Sequence, residues 1–392
     1  MKIRDIRTYI LRVPLREKRF FSSQCAFPER NSLLVQVETD EGVYGWGEGG
    51  QYGPPEPVKS CIDNVLGPML LGRDPMDKGI LWHHMYSMTR DFGQRGSYIE
   101  AISALDIALW DICGKIFGVP VGKLMGGRQR THVHRYATGC YYRGERYLEL
   151  GDTLSELQEE AMSYVEDGFD RLKIKVGLLP VKDDARRVAA IRRSVGDGVE
   201  LFVDCNHAYR ANTAVRMGKY LEENGVLFME EPVMPEDREG YIAVRGSLDL
   251  AVAAGECEFT LYGFKELISR GCVDIAQPDL CVCGGLSEFL RILAIADAYG
   301  TSVVPHVWGS GIALAAALGA ISAMPLEPHT ANPVPMQNEP VIEYDRNLNP
   351  LRDELLTEPI RIENGMVKVP DGPGLGVDID PEILSKYNIN MA

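Results

Sequence analysis

The chain has 392 residues, of which 45% are hydrophobic and 25% charged, and its formal net charge is −15. This composition is typical of a globular protein large enough for two domains or for one large barrel with additions. The negative charge, without any long run of lysine or arginine, argues against nucleic-acid binding, and no apolar run reaches the length of a membrane span. Nine cysteines without a framework spacing, and a start that lacks the apolar core of a signal peptide, predict a cytoplasmic protein with reduced thiols.

The first third of the chain predicts an α+β domain. Strand patterns cover residues 2–15 and 32–48, with a turn at 40–42, and helical patterns cover about 56–71, 76–90 and 97–117. The run Gly126-Gly127-Arg128 is a candidate boundary. We therefore expect a capping domain over residues 1–127.

A polar and aromatic segment without periodicity, about residues 16–31, lies between the first two strand patterns. It predicts a loop, and in a two-domain enzyme such a loop closes over a pocket. Arg19, Phe20 and Ser22 are its candidate specificity residues.

From residue 133 the pattern changes to a repeated unit of strand, loop and helix. Strands are predicted near 133–138, 171–175, 200–204, 227–230, 251–254, 273–276, 302–305 and 340–344, with helices between them, among others at 181–194, 212–224, 285–299 and 311–323. Eight strands with crossover helices predict a modified TIM barrel, (β/α)7β, over residues 128–364. A proline-rich excursion is expected at 324–339, and residues 365–392 are expected to pack back on the capping domain.

Three carboxylates recur at one fixed interval in the middle of the chain. Asp204, Glu230 and Glu256 each end a short apolar run and each precede a helical pattern. Such acids meet at the carboxyl-terminal end of a β/α barrel, where they would repel one another unless a cation neutralised them. A hard divalent ion with oxygen ligands fits this demand, so we predict one Mg²⁺ per subunit.

Two lysines and a histidine–aspartate pair lie at matching places. Lys173 and Lys175 share a face of the predicted strand one unit before the first acid, because side chains alternate along a strand. Asp279 and His306 follow two later strands at the same barrel end. An aspartate that accepts a hydrogen bond from one ring nitrogen fixes the tautomer of the histidine and raises its basicity.

The surrounding residues are open to more than one reading. Strand alternation places Asn206 on the face of Asp204, where it either binds substrate or a metal-bound water or has a structural role. His207 is expected to be packed or at the surface. Trp308 and Tyr209 lie near the predicted mouth, where Trp308 is a candidate substrate contact, although core packing is the default for both.

Taken together, these motifs resemble the mandelate racemase subgroup of the enolase superfamily over nearly the whole chain. The motifs are Gly126-Gly127-Arg128, Lys173-Ile174-Lys175, Asp204-Cys205-Asn206, Glu230-Glu231-Pro232, Gly255-Glu256 and the pair Asp279 and His306. The stretches 91–96, 277–285 and 305–309 look closer still to members that act on acid sugars, aldarolactone cycloisomerases and acid-sugar dehydratases among them.

The resemblance implies a base on each face of a bound small-molecule carboxylate. Lys175 would be one base and His306 the other, with Lys173 neutralising the substrate carboxylate and lowering the proton affinity of Lys175. An acid from the last strand would hydrogen-bond the developing enediolate. Strand position favours Glu343 over its rival Glu327. Symmetric assembly into a homo-oligomer is the default expectation.

The resemblance implies removal of an α-proton followed by β-elimination, as dehydration or cycloisomerisation, with racemisation of an α-hydroxy acid as the alternative. Relatives that lactonise muconate or epimerise dipeptides carry a lysine base after the sixth strand, and here that place holds Pro278-Asp279-Leu280-Cys281. A zinc hydrolase is prompted by His132 and His134, but that pair precedes the apolar part of its strand. A non-catalytic binding homologue is the remaining class.

Overall fold

The protein is described by a computed structural model, which covers residues 1–16, 19–51, 53–143, 150–325 and 339–389. Within these ranges the strands are β1 (Ile3–Pro14), β2 (Phe20–Phe21), β3 (Ala26–Phe27), β4 (Glu29–Thr39), β5 (Tyr44–Gly49), β6 (His132–Gly139), β7 (Tyr142–Arg143), β8 (Arg171–Lys175), β9 (Glu200–Asp204), β10 (Val226–Glu230), β11 (Ala251–Ala254), β12 (Ile275–Ala276), β13 (Ser302–Val303), β14 (Val341–Asp345), β15 (Ile362–Glu363) and β16 (Met366–Lys368).

The helices of the same ranges are α1 (Glu56–Cys61), α2 (Gly67–Leu70), α3 (Lys78–Thr89), α4 (Ser97–Phe117), α5 (Val121–Leu124), α6 (Leu150–Glu166), α7 (Val181–Val195), α8 (Ala211–Glu223), α9 (Arg238–Arg245), α10 (Thr260–Ser269), α11 (Gly285–Tyr299), α12 (Gly311–Ala323), α13 (Pro350–Asp353) and α14 (Pro381–Tyr387). A π-helical turn, Ile62–Leu66, links α1 to α2, and a 3₁₀ turn, Pro75–Asp77, precedes α3. The predicted helix at 56–71 is therefore interrupted rather than continuous. None of the helices in the described ranges is long and apolar enough to cross a membrane.

The capping domain is an antiparallel sheet, in the order β1-β4-β5, covered by helices. Helix α4 lies directly on β5, because Gly45, Gly47 and Gly49 alternate along the strand and turn the same face to the helix. A Cβ at any of the three would collide with a main-chain oxygen of α4. The sequence of β5 thus permits the close approach that builds this domain.

The second half of the fold is a parallel barrel. Strands β6, β8, β9, β10, β11, β12 and β13 pair in that order, and β14 pairs in parallel with β6. Counted over the described residues, this gives eight barrel strands with seven intervening helices, α6 to α12, as the (β/α)7β prediction requires. Aromatic side chains plug the interior, where Phe202 and Phe228 stack with ring centroids 4.2 Å apart. The polar groups at the carboxyl ends of the strands therefore lie above a packed apolar interior.

Two barrel strands are shorter than predicted. The pattern at 273–276 yields only Ile275–Ala276, because Asp274 bonds β11 through both its main chain and its side chain, which accepts from Val252 N at 2.9 Å. The pattern at 302–305 yields Ser302–Val303, since Pro305 has no amide hydrogen to continue the ladder.

The segment predicted as a loop at 16–31 contains a short hairpin. Strands β2 and β3 pair with each other, and β2 also pairs with β7 beside the barrel. Ser23 Oγ, at the hairpin turn, donates a hydrogen bond of 2.7 Å to the carbonyl oxygen of Cys205. The hairpin is thus fastened over the barrel mouth next to Asp204.

The C-terminal segment runs from the barrel back to the capping domain. Strand β16 pairs antiparallel with β6, and the chain then passes α4, where Leu375 N donates to Asp111 Oδ1 at 2.8 Å. Tyr44 OH donates to Asp378 Oδ2 at 2.8 Å. The segment therefore joins the two parts of the fold.

Candidate active site

The three evenly spaced acids meet at one point. Each of Asp204, Glu230 and Glu256 is buried, and each offers an oxygen that lies within 4.8 Å of those of the other two. Asp204 and Glu230 end neighbouring strands in register, and Glu256 follows β11 after a glycine. Parallel strands with a common register deliver these side chains to the same barrel end.

Both lysines of the Lys-x-Lys motif contact this cluster. Lys173 Nζ donates to both oxygens of Glu230, at 2.8 and 2.9 Å, and lies 2.9 Å from Glu343 Oε1. Lys175 Nζ forms an ion pair with Asp204 and donates to Asn206 Oδ1 at 3.1 Å. Strand alternation therefore brings both ammonium groups to one face, as the sequence predicts.

The structure also assembles the predicted histidine–aspartate pair. His306 Nδ1 lies 2.7 Å from Asp279 Oδ2, and Cys281 N donates to Asp279 Oδ1 at 2.8 Å. A carboxylate accepts only, so Nδ1 carries a proton. His306 Nε2 faces the acids, 3.3 Å from Glu256 Oε2.

The acid at the last strand is Glu343. It is buried, accepts from Thr138 Oγ1 and Lys173, and lies 3.5 Å from His306 Nε2. Glu327, the rival for this place in the sequence, lies outside the described residues.

Crowding of carboxylates sets the electrostatics of the cluster. Burial raises the pKa of Glu230 and that of Glu256 to about 7, and neighbouring carboxylates add to the rise, although Lys173 and His306 respectively oppose it. For Glu343 the lysines and His306 outweigh burial and lower the pKa to about 2. The carboxyl groups of Glu230 and Glu256 are therefore harder to ionise than isolated carboxyl groups, which indicates a deficit of positive charge at this point.

The pKa of Lys175 depends on more groups than the neighbouring Lys173. Burial lowers the pKa of Lys175, but contact with Asp204 and other groups outweighs it, so that the pKa lies well above its ordinary value. Lys173 does lower it, as predicted, but contributes less than Asp204. The sequence shows the like charge of Lys173 beside Lys175, but it does not show which carboxylate Lys175 touches.

A cavity of about 780 Å³ lies between the hairpin and the barrel mouth. Lys175, Asn206, Glu256, His306 and Trp308 line it from the barrel side. Asn206 does not continue β9, since its φ of 42° places it in a left-handed turn, yet its side chain still reaches Lys175. The positions predicted for Asn206 and Trp308 as substrate contacts therefore face the cavity.

The specificity residues proposed for the hairpin do not line this cavity. Phe20 is buried against Phe27 and Trp308, and Ser22 Oγ accepts from the amide of Gln24 within the turn. Instead, residues 24–29 face the cavity. Because the segment has no hydrophobic periodicity, the sequence could not predict which of its side chains face the cavity.

Two glutamines were missed by the sequence reasoning. Gln277 Nε2 donates to Glu230 Oε2 at 2.8 Å, and Gln51, from the capping domain, donates to Asp279 Oδ2. Gln277 lies in the stretch that resembles acid-sugar enzymes, which was a usable signal. Nothing local marks Gln51. Tyr209, by contrast, is buried in the core, as expected by default.

A second cluster lies beside the first. His207 Nε2 is 2.6 Å from Glu231 Oε2 and 3.8 Å from Cys257 Sγ. Burial lowers the pKa of His207, but Glu231 outweighs it and raises the pKa to about 9. This cluster is therefore an imidazolium–carboxylate pair, and Glu231 faces away from Glu230 as strand alternation predicts.

The His207–Glu231 pair predicts a pH-dependent stability. Because the folded-state pKa lies above the ordinary 6.5, the pair stabilises fully below pH 6.5, and this contribution is lost as pH rises through about 9. We expect His207→Gln to remove on the order of 2 kcal/mol of pH dependence. Thermal unfolding in EDTA at pH 6 and pH 9 measures it, with His84→Gln as control. Equal pH dependence in wild type and His207→Gln would contradict the assignment.

The histidine pair that prompted the hydrolase reading lies at the other end of the barrel. His132 begins β6, and its Nε2 lies 3.1 Å from Glu363 Oε2. The acids stand at the carboxyl ends of β9 and β10, so His132 and His134 cannot join them. This placement is the one that the sequence predicts, and it argues against a zinc hydrolase.

Family models match both halves of the chain. Residues 6–126 match the model described as "Mandelate racemase / muconate lactonizing enzyme, N-terminal domain", and residues 156–383 match "Enolase C-terminal domain-like". A capping domain over a modified barrel is the architecture of that class. The chain belongs to the enolase superfamily, in its mandelate racemase and muconate lactonizing enzyme branch.

Several relatives share the full length. The chain is 40% identical to D-galactarolactone cycloisomerase of Agrobacterium fabrum, over 99% of both chains, and 35% identical to arabinonate dehydratase of Saccharolobus solfataricus, over 98% and 99%. Among solved structures, the 3,6-anhydro-D-galactonate cycloisomerase from Zobellia galactanivorans has a TM-score of 0.87 at 38% identity over 99% of both chains. Relatives of this chain are thus acid-sugar dehydratases and cycloisomerases.

Proposed function

We propose that the protein is a Mg²⁺-dependent enzyme that removes the α-proton of an acid sugar, or of its lactone, and then eliminates a β-oxygen. The observation that carries this proposal is the meeting of three carboxylates with Lys175 on one strand and the Asp279–His306 pair on another. The names of its relatives, dehydratases and cycloisomerases of sugar acids, support the reaction class.

The carboxylate cluster fits a hard divalent cation. Its donors are all oxygen, the ligand type that Mg²⁺ takes. The raised pKa values of Glu230 and Glu256 indicate missing positive charge, and members of the superfamily bind Mg²⁺. When bound by Asp204, Glu230 and Glu256, Mg²⁺ would supply electrostatic stabilisation of the negative charge that develops on the substrate carboxylate.

Lys175 and His306 would act as the two proton-transfer groups. Lys175 has to become neutral to accept the α-proton, and a cation that takes over Asp204 removes the contact that raises its pKa. Lys173, which is buried and paired with Glu230 and Glu343, would hold the substrate carboxylate. Glu343, ionised in this arrangement, would have to gain a proton before it could donate to the enediolate.

His306 is suited to protonate the leaving oxygen. Burial lowers the pKa of His306, but Glu256 and Glu343 outweigh it and raise the pKa to about 10. A cation on Glu256 would weaken the first contribution and leave those of Glu343 and Asp279, which favour a proton on Nε2. As the bond from Cβ to oxygen breaks, its electron pair leaves with the oxygen, which takes that proton. The electron pair of the former bond between Cα and hydrogen forms the new double bond between Cα and Cβ. A hydroxyl departs as water in dehydration, whereas a lactone ring oxygen departs with ring opening and no loss of water.

A screen in D₂O tests the proposal. Acid sugars and their lactones are incubated with the Mg²⁺-loaded protein, and α-deuterium, keto-acid formation and lactone opening are followed separately. Keto acid is the expected product of at least one substrate. Exchange with inversion but no elimination would replace the proposal with a racemase. Mg²⁺ binding without exchange or product on any acid sugar would favour a binding homologue.

A further inference from the structure

The capping domain contacts the histidine–aspartate pair directly. Gln51, two residues beyond β5, is buried, and its Nε2 donates to Asp279 Oδ2. The same oxygen accepts from His306 Nδ1 at 2.7 Å. Because a carboxylate can only accept, Gln51 must present its NH₂ group to Asp279.

A second contact holds the other side of the histidine loop. Glu48, on β5, accepts from Ser310 N at 2.8 Å, Ser310 Oγ at 2.6 Å and Ala313 N at 2.9 Å. These groups open α12, immediately after the loop that carries His306. At Gly309, between the two contacts, a Cβ would collide with the carboxylate of Glu48 and the amide oxygen of Gln51.

The two contacts join parts of the chain that are remote in sequence. Gln51 and Asp279 are 228 residues apart, and Glu48 and Ser310 are 262 apart. The short segment from Glu48 to Gln51 therefore reaches across from the capping domain and packs on the loop 306–310. Asp279 is held in one orientation, because both of its carboxylate oxygens have donors. Gln51 and His306 donate to Oδ2, and Cys281 N donates to Oδ1.

We propose that Gln51 is a positioning residue for His306, acting through Asp279. The capping domain would then orient the histidine–aspartate pair as well as cover the substrate. The amide holds Asp279, Asp279 holds the Nδ1 proton, and Nε2 is thereby aimed at the cavity. This inference rests on the proposed use of His306 in the reaction.

The variant Gln51→Met tests it, because methionine keeps the length of the side chain and removes the donor. We expect kcat for elimination to fall about ten- to hundredfold, with KM changed less than about twofold. Losses of that size are typical when the hydrogen-bonded partners that orient metal-ligating histidines are removed. Gln51→Glu is expected to be at least as impaired, since it sets a carboxylate against Asp279. Gln36→Met, the same substitution on β4, is the control and keeps the wild-type kcat.

A second readout needs no substrate. In ¹⁵N-histidine-labelled protein the Nδ1 proton resonance of His306, assigned by its loss in His306→Asn, is expected to shift in Gln51→Met and to stay in Gln36→Met. An unchanged resonance in Gln51→Met overturns the inference, whether or not wild type turns over any acid sugar. Wild-type kcat per folded molecule in Gln51→Met overturns it too. A raised KM with unchanged kcat would also do so, because Gln51 would then bind substrate rather than position His306.

Discussion

Replacing Lys175 by methionine, or His306 by asparagine, is expected to reduce turnover about 10²- to 10⁴-fold at saturating Mg²⁺, the usual contribution of a positioned acid or base. Lys175→Met removes the group proposed to accept the α-proton. His306→Asn removes the proposed proton donor to the leaving oxygen and so should retain α-deuterium exchange while losing keto acid. Initial rates of both readouts on one acid sugar measure the effect.

The controls for this prediction match the residue types. Lys182→Met changes an exposed lysine on α7, and His132→Asn changes a histidine at the far end of β6, so both should keep wild-type rates. Mg²⁺ must be saturating, because loss of Lys175 leaves Asp204 without its ion-pair partner. Near-normal rates in both active-site variants would refute the two-base assignment, and a selective loss in His132→Asn would revive the hydrolase reading.

The barrel could be predicted because each unit carries its own signal. Strands β9 and β11 match the predicted 200–204 and 251–254, since apolar runs bounded by polar residues specify a buried strand locally. The short length of strand β12 could not be predicted from composition. The Asp274 carboxylate accepts a hydrogen bond from the backbone of β11, where a regular strand would pair through its own backbone. Period and polarity therefore specify that a strand exists but not where its pairing begins.

The residues of the cluster that end barrel strands could be predicted from the sequence. Asp204 and Glu230 occupy the same position, the last residue of the strand, in two successive units. Lys173 and Lys175 share a face because side chains alternate along a strand. Gln51 could not be predicted, because its partner lies 228 residues away on another domain and no local pattern encodes that contact. The proton affinity of Lys175 was likewise beyond the sequence, since it depends on which carboxylate the ammonium touches.

The prediction with the largest effect on metal binding concerns Glu230. Glu230→Gln keeps the shape of the side chain, and its amide oxygen can still accept from Lys173 and Gln277. The substitution loses the second contact with Lys173 and removes one negative charge from an all-oxygen site. Hard cations bind ionised carboxylates far better than amides, so we expect Mg²⁺ affinity to fall at least about a hundredfold. Titration calorimetry on protein stripped with EDTA measures it.

The adjacent residue supplies the matched control. Glu231→Gln is the same substitution one position along, on a carboxylate that is equally buried but faces His207 instead of Asp204. If the cation is held by Asp204, Glu230 and Glu256, Glu231→Gln should keep the affinity within about threefold, since its charge acts only from a distance. Equal losses in the two variants would mean that net charge, not coordination, governs binding. Unchanged affinity in Glu230→Gln would place the ion elsewhere, and the proton-transfer roles of Lys175 and His306 would lose their common centre.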